Sequence, residues 1–140
     1  MKAIFYVLAL FGAFTLMGSC QEEIVAGDDD LFHTWEATEF MSLESVAYPR
    51  NEGSAVLLTF KRDGSYHLRL DVNSCMGSYE TGDSASIHIE SAGCTKMCCD
   101  SPFSVKLSEM LTKVTSYQIE DDTLQLHVPG WGYVELERRE

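Results

Sequence analysis

Apolar and polar side chains alternate with a period of two along most of the chain from residue 31 onward. This alternation is typical of β-strands that bury one face. The clearest example is a predicted hairpin with a tight turn at Asp63-Gly64, where glycine tolerates a positive φ. Val56, Leu58 and Phe60 form the inward series before that turn. The inward series after it consists of Tyr66, Leu68, Leu70 and Val72.

Shorter alternating segments predict further strands on both sides of the hairpin. Residues 31–38 suit an opening strand that places Trp35 in the core, whereas residues 41–54 have the composition of a loop. Gly82-Asp83 and Asp121-Asp122 supply turns between later strands. Those strands contain Tyr79, Ile87, Ile89, Tyr117, Ile119, Leu124, Leu126, Val128, Val134 and Leu136.

One segment has helical spacing instead. Its apolar side chains recur every three or four residues and therefore share one helix face. Ser101 and Pro102 precede them, in the order that suits an N-cap and a first helical position. The order of strands, one helix and strands predicts an α+β fold, a curved antiparallel sheet or a partly open small β-barrel with one packing helix. The helical residues are Phe103, Leu107, Met110, Leu111 and Val114.

The first nineteen residues have the composition of a signal peptide. Lys2 precedes an apolar run that extends to Leu16, and the small residues Gly18 and Ser19 end the segment. The run is interrupted and shorter than the roughly 20 apolar residues of a membrane-spanning helix. We therefore predict that residues 1–19 are removed, the alternative being an uncleaved N-terminal anchor.

Cys20 directly follows this segment. Leu16-Met17-Gly18-Ser19-Cys20 resembles a lipobox, the recognition site of lipoprotein signal peptidase, with Met17 where leucine is preferred. The resemblance implies a diacylglyceryl thioether on Cys20, and two or more acyl chains anchor a protein stably. We expect a lipoprotein of the cell envelope, and the alternative is a secreted protein with one leftover thiol.

Residues 20–30 read as the lipidated cysteine followed by a flexible acidic linker, and residues 31–140 as one domain. Gln21-Glu22-Glu23 also resembles the acidic export tag of surface lipoproteins, although a plain solvated linker has the same composition. We expect a lipid anchor in the outer membrane, with the domain facing the periplasm or the cell surface.

The net charge excludes one class of partner. The whole chain carries −12, and removal of residues 1–19 takes away one lysine and no acid, which leaves −13. A domain this acidic repels phosphate backbones, because nucleic-acid binding requires cationic side chains that displace counterions. We expect no nucleic-acid partner.

Four further cysteines, Cys75, Cys94, Cys98 and Cys99, would enter an oxidising compartment on export, where an even number usually indicates disulfides. A bridge between adjacent residues is unfavourable, because a normal disulfide separates its Cα atoms by about 5.5 Å. We favour a long bridge from Cys75 to Cys98 or Cys99, with Cys94 bonded to the other. The alternative pairs Cys75 with Cys94 and leaves a vicinal pair.

Residues 71–138 resemble the META (HslJ-like) domain. The central pattern of that family, an asparagine followed four residues later by glycine and then by an aromatic residue, stands here as Asn73, Gly77 and Tyr79. Its second element, Thr-x-Met-x-Cys before a helix, stands as Thr95-Lys96-Met97-Cys98-Cys99. The resemblance implies a small, partly open β-barrel plugged by a helix, and it implies no established activity.

The chain departs from the family next to the signature asparagine. Family members often carry Gly-Cys before it, whereas this chain has Asp71 and Val72 and places its cysteine at Cys75. The disulfide pairing therefore does not transfer from the family. Upstream, Trp35 and the turn at residues 60–64 match the family.

The signature residues Asn73, Gly77, Tyr79, Thr95 and Met97 are interpreted as structural. Glycine permits a backbone conformation or a close approach that a side chain would block, and an asparagine amide can cap a neighbouring turn. Contact with a ligand is the alternative role for these positions.

Few residues suggest chemistry. Trp131, in Pro129-Gly130-Trp131-Gly132, is a candidate contact for a partner or ligand, or a hairpin tip folded back on the core. The cysteine-rich segment lacks the second ligand pair of a zinc site, so no metal and no cofactor are expected. A catalytic thiol such as Cys99 would lack an identifiable oxyanion hole, and no catalytic residue is assigned.

These observations favour a non-catalytic envelope lipoprotein that binds an envelope protein or a small apolar ligand inside the barrel. The second hypothesis is a structural or stress-protective component without a specific ligand. The third is a thiol-dependent enzyme, which would require a free thiol among the four domain cysteines.

We expect that Cys20→Ser abolishes membrane anchoring, because serine cannot form the thioether. Membrane fractionation and intact-mass analysis of the mature N terminus in the native host test this expectation. The wild-type protein should begin at an acylated residue 20, and the variant should carry no acyl chain. A mature protein that begins at Met1 without acyl chains would contradict the prediction.

Overall fold

A computed structural model describes residues 28–91 and 93–140. The predicted signal peptide, the predicted lipidation site Cys20 and linker residues up to 27 lie outside the described residues. The last predicted linker residues, 28–30, join Leu31 in a short 3-10 helix, Asp28–Leu31.

Nine strands, one α-helix and two 3-10 helices make up the described part of the chain. The second 3-10 helix is Asp83–Ala85. The strands and the helix are β1 (Thr34–Ser42), β2 (Leu57–Phe60), β3 (Ser65–Arg69), β4 (Ser74–Gly82), β5 (Ser86–Ile89), β6 (Gly93–Cys94), α1 (Pro102–Leu111), β7 (Ser116–Glu120), β8 (Thr123–Val128) and β9 (Gly132–Arg139).

The strands form a single antiparallel sheet in the order β3-β2-β1-β9-β8-β7-β5-β4-β6. An additional pairing of β3 with β4 joins eight strands into a ring, and β6 continues from β4 as a short edge. The ring is thinnest between β5 and β7, where the register pairs Ser86 with Ser116 alone among the described residues. The predicted α+β class, a curved antiparallel sheet with one helix, is confirmed.

Apolar side chains fill the inside of the ring. Trp35, Leu58, Leu126 and Leu136 have no exposed surface, and the Trp35 indole N–H donates to the Leu31 carbonyl oxygen at 3.0 Å. Strands with one inward face bury alternate residues, which is the alternation seen in the sequence. The hydrophobic effect of this enclosed core is the main stabilising contribution to the fold.

The single helix begins and packs as its sequence predicts. Ser101 is the N-cap and accepts a hydrogen bond from the Ser104 N–H, and Pro102 follows at the first position. The predicted apolar face is buried, with Phe103 and Leu107 among its residues. In the described part of the chain, no helix has both the length and the apolar character needed to cross a membrane.

Three features differ from the sequence prediction. The opening strand spans Thr34–Ser42 rather than residues 31–38, so Met41 and Ser42, which were assigned to a loop, belong to β1. Val72 is 43% exposed and does not continue the inward series of β3. The strand ends at Arg69 because the Leu70 N–H bonds the Asn73 carbonyl oxygen at 2.8 Å and turns the chain into β4. The edge strand β6 was not predicted, since two residues are too few to show an alternating pattern.

Gly77→Ala tests the packing of β4 against β3. An added Cβ at this position would meet the Tyr66 ring at 2.8 to 2.9 Å, and Tyr66 is held by its hydroxyl bond to the Glu90 carbonyl oxygen. We expect a loss of about 1–3 kcal/mol in the free energy of unfolding, the usual cost of overpacking. Urea unfolding measures this loss.

The matched control is Gly93→Ala on the neighbouring strand β6. A Cβ there meets nothing within 4 Å, so the change in stability should stay within about 0.5 kcal/mol, as for other exposed sites. Equal stability losses in the two variants would contradict the assignment of a tight contact at Gly77.

Candidate functional site

Among the described residues, the buried Asn73 side chain makes the most hydrogen bonds. Its Nδ2 donates to the Met97 carbonyl oxygen (2.7 Å) and to Asp100 Oδ2 (2.6 Å), and its Oδ1 accepts from the Met97 N–H (2.7 Å) and the Thr95 hydroxyl (2.8 Å). These four bonds use the full capacity of an amide side chain. Asp100 Oδ1 in turn accepts from the backbone N–H groups of Val72 and Asn73.

Asp71 connects the same turn to the start of α1. Its Oδ2 accepts from the Ser101 N–H (2.8 Å), the Ser101 hydroxyl (2.6 Å) and the Ser104 hydroxyl (2.5 Å). Burial alone would raise the pKa of Asp71, but these bonds outweigh it and lower the pKa to about 2. A carboxylate at a helix N terminus also interacts favourably with the helix dipole. We call Asp71, Asn73, Thr95, Asp100 and Ser101 the polar junction.

A polar groove of about 340 Å³ runs beside the polar junction, lined by residues 53–55 and 69–74. Asp71 and Asn73 also line this groove, and Asp71 Oδ1 is a buried oxygen without a hydrogen-bond partner among the described residues. In residues 28–91 and 93–140, no three His, Cys, Asp or Glu side chains are grouped as a metal ion would require.

The disulfide map is the scheme that the sequence analysis did not favour. Cys75 is bonded to Cys94 with their Cα atoms 4.1 Å apart, and Cys98 to Cys99. The predicted long bridge from Cys75 to Cys98 or Cys99 is therefore wrong. Cys75 and Cys94 lie opposite each other in the β4–β6 ladder, whereas Asn73 holds the backbone of the following segment beside the start of β4.

The other two signature residues lie further along β4. Gly77 lies against the Tyr66 ring, and the Tyr79 hydroxyl donates to the Lys61 carbonyl oxygen at 2.7 Å. The Tyr79 ring also makes an edge contact with Phe60, at 4.8 Å between centroids. The structure thus brings Asn73 together with Thr95 and Met97. Gly77 and Tyr79 make separate packing contacts.

Trp131 belongs to a different surface, formed by aromatic rings at one end of the sheet. Phe40 stacks on Phe103 with centroids 4.4 Å apart, and its other contacts are edge contacts with Trp131 (5.7 Å) and Tyr48 (5.6 Å). The Lys106 ammonium lies 5.1 Å from the Tyr48 ring centroid and 5.4 Å from that of Trp131. We call Phe40, Tyr48, Phe103 and Trp131 the aromatic cluster.

Glu44 joins the loop after β1 to this cluster. The Tyr48 hydroxyl donates to its carboxylate at 2.6 Å, and the Lys106 ammonium approaches to 3.2 Å. Hydrogen bonds from Tyr48 and from Lys106, together with the Lys106 charge, lower the pKa of Glu44 to about 2. The charges of Glu44 and Lys106 are therefore paired with each other.

Exposed apolar side chains surround the aromatic cluster. Leu43 is 89% exposed, Val46 60% and Val105 55%. Two grooves flank Tyr48, one of about 220 Å³ beside Val46 and one of about 350 Å³ beside Val105. Exposed apolar side chains gathered around one aromatic cluster are typical of interaction sites. We call Leu43, Val46 and Val105 the apolar rim.

Sequence reasoning identified Trp131 but missed the rest of this surface. The sequence did contain a signal for this surface, namely three apolar residues in polar surroundings. Two of them lie in the predicted loop, and Val105 lies on the outward face of the predicted helix. Single apolar residues on a surface are common, so the sequence alone did not distinguish them. Only the fold places all three near the aromatic cluster.

Comparison with known proteins agrees with this architecture. The sequence profile of the META domain matches residues 29–139. Among solved structures, a DUF4847 family protein from Bacteroides vulgatus ATCC 8482 superposes with a TM-score of 0.61 at 17% identity, covering 81% of this chain and 100% of that one. At this identity the similarity concerns the fold alone. No curated protein matches the sequence at a significant level.

Asp71→Asn tests the electrostatic role of the polar junction. Since the folded-state pKa is about 2 against an ordinary value of 3.8, the carboxylate stabilises the fold fully above about pH 4 and progressively less as the pH falls toward 2. We expect the variant to have a lower Tm than wild type at pH 7, and this difference to shrink between pH 4 and 2.

Thermal unfolding monitored by circular dichroism over this pH range measures the effect. Glu52→Gln, in an exposed loop, controls for the loss of one negative charge. A Tm difference between Asp71→Asn and wild type that is constant from pH 7 to pH 2 would show that the carboxylate charge does not stabilise the junction.

Proposed function

This chain belongs to the META domain family, and on that premise we propose that it is a non-catalytic, lipid-anchored module of the cell envelope that binds a protein partner through the apolar rim. The observation that carries the proposal is the exposure of Leu43, Val46 and Val105 around a rigid aromatic cluster. Covering exposed apolar side chains with a partner removes their surface from water, which favours association.

The packed core supports binding on the outside of the sheet rather than within it. Side chains such as Trp35, Leu58 and Leu136, all fully buried, occupy the inside of the ring. A small apolar ligand would have to displace them and lose their contacts. The proposal therefore names a protein at the rim and not a molecule in the interior.

The carboxylates with lowered pKa values have structural partners, which supports a non-catalytic role. Asp71 accepts hydrogen bonds from the first turn of α1, and Glu44 is paired with Tyr48 and Lys106. A lowered pKa makes both groups weaker bases than an ordinary carboxylate. Their hydrogen bonds fix one segment of the protein to another.

The position of the rim suits an anchored protein. The linker enters at Asp28–Leu31, which precedes β1, and Leu43 follows the other end of that strand. Nine residues of strand span about 30 Å. Eight residues from Cys20 to residue 27 reach at most about 29 Å. An anchor at Cys20 would therefore attach to the opposite end of the domain from the rim, which would leave the rim accessible to other envelope proteins.

A photocrosslinking amino acid at position 43, in the full-length protein in its native cells, tests the proposal. We expect one adduct of defined mass, and we expect Val46→Glu to reduce it about tenfold, because a charge would be desolvated at the interface. The control position is Glu120, which is exposed at the end of β7, away from the rim.

Crosslinking at position 43 that yields no adduct, or the same adducts as position 120, would reject partner binding at the rim. A Val46→Glu variant with an undiminished adduct would also reject it, provided its Tm matches that of wild type.

A further inference from the structure

One edge of β1 is open over its second half. The strand pairs with β9 from Thr34 to Ser42, but its register with β2 on the other side ends at Glu36. The Ala37 N–H makes one more bond on that side, to the Val56 carbonyl oxygen. Within the described residues, no backbone hydrogen bond continues the β2 ladder along residues 39–42.

The ladder with β9 determines which backbone groups face the open edge. The Leu43 N–H donates to the Trp131 carbonyl oxygen, so Leu43 and, two residues earlier, Met41 bond toward β9. In an antiparallel pair, alternate residues direct their N–H and C=O groups to opposite edges. Phe40 and Ser42 therefore present their backbone groups to the open edge.

Arg50 marks where this edge begins. Its guanidinium donates to the Thr38 carbonyl oxygen at 2.9 Å and to the Ala37 carbonyl oxygen, beyond the last bond to β2. A side chain thus replaces the missing strand at these two carbonyls. Beyond Arg50, a groove of about 220 Å³ remains open between Phe40 of β1 and Tyr48 of the following loop.

Two like charges lie opposite each other at this edge, one residue beyond the carbonyl oxygens that the Arg50 guanidinium covers. Glu39 is exposed and lies directly opposite Glu135 of β9, and like charges in that arrangement repel each other. A cation on a strand added beside β1 would lie next to Glu39 and reduce this repulsion. The open edge therefore favours a segment that has basic residues on one face and apolar residues on the other.

We propose that β1 accepts an extended segment of the partner protein as an additional strand, with an apolar side chain in the groove beside Phe40 and a basic residue beside Glu39. The proposal rests on the proposed function and specifies how the partner is bound. Backbone hydrogen bonds to Phe40 and Ser42 would give affinity, and the groove and Glu39 would give specificity, as in other cases of strand addition.

Amide hydrogen exchange measured by NMR tests whether the edge is open. In the free protein, the amides of Phe40 and Ser42 should exchange fast, whereas those of Met41 and Leu43 should be protected by β9. Protection of Phe40 and Ser42 in the monomer would mean that the edge is already covered and would overturn the proposal. The same protection in a dimer seen by sedimentation would identify a second copy as the occupant, which also overturns it.

The binding probe is the acetylated and amidated peptide Lys-Val-Lys-Val-Lys-Val-Lys, titrated against the full chain. Two N-methylated forms, one methylated at all valines and one at all inner lysines, each remove one alternate set of N–H donors. Strand addition requires one form to bind as the parent peptide does and the other to lose binding. Equal binding by the two forms, or no binding by the parent, overturns the proposal.

The protein variant is Ser42→Pro, which removes an N–H that faces the open edge and leaves the β9 ladder intact. Its control is Ser42→Ala, which loses the same hydroxyl but keeps the N–H. We expect Ser42→Pro to bind the parent peptide about tenfold more weakly than Ser42→Ala, as for one lost hydrogen bond. Equal affinities of the two variants, at equal Tm, would contradict strand addition. If position 43 gave a specific adduct while Ser42→Pro and Ser42→Ala bound the peptide equally, partner binding at the rim would stand. Only strand addition to β1 would then be rejected.

Discussion

The four hydrogen bonds of the Asn73 side chain determine how the segment between β6 and α1 is attached to the sheet. They join the turn between β3 and β4 to the backbone around Met97 and to Asp100. Because the amide is nine-tenths buried, loss of any partner would leave a polar atom without water to replace it. The segment between β6 and α1 has little regular structure, so this side chain supplies the contacts that a strand or helix would otherwise provide.

The start of the helix follows from that constraint. Asp100, fixed by Asn73, precedes the N-cap Ser101, and Asp71 from the same turn accepts the hydrogen bonds of the first helical turn. The helix then carries Lys106 to the aromatic cluster and Val105 to the apolar rim. Asn73 does not lie on the apolar rim. The helix α1, whose start it helps to position, nevertheless carries part of that surface.

The proposed binding surface leaves two kinds of group without a protein partner. The apolar rim leaves hydrophobic surface in water, and the second half of β1 leaves backbone groups without a partner strand. Proteins usually protect strand edges with charges, as Glu39 does here on one face. The Arg50 guanidinium protects the carbonyl oxygens of Ala37 and Thr38. A single extended segment would satisfy both deficits, which is why we prefer it to a globular surface contact.

The sequence by itself determined the α+β class, the hairpin at Asp63-Gly64, the helix with its Ser101 N-cap and the family, because each depends on local periodicity, turn chemistry or a short motif. It did not determine the disulfide map, since the pairing of Cys75 depends on which residue lies opposite it in the β4–β6 ladder. The rim and the open edge were decided only by tertiary structure. Exposure and missing strand partners depend on how distant segments pack, so no local sequence pattern indicates them.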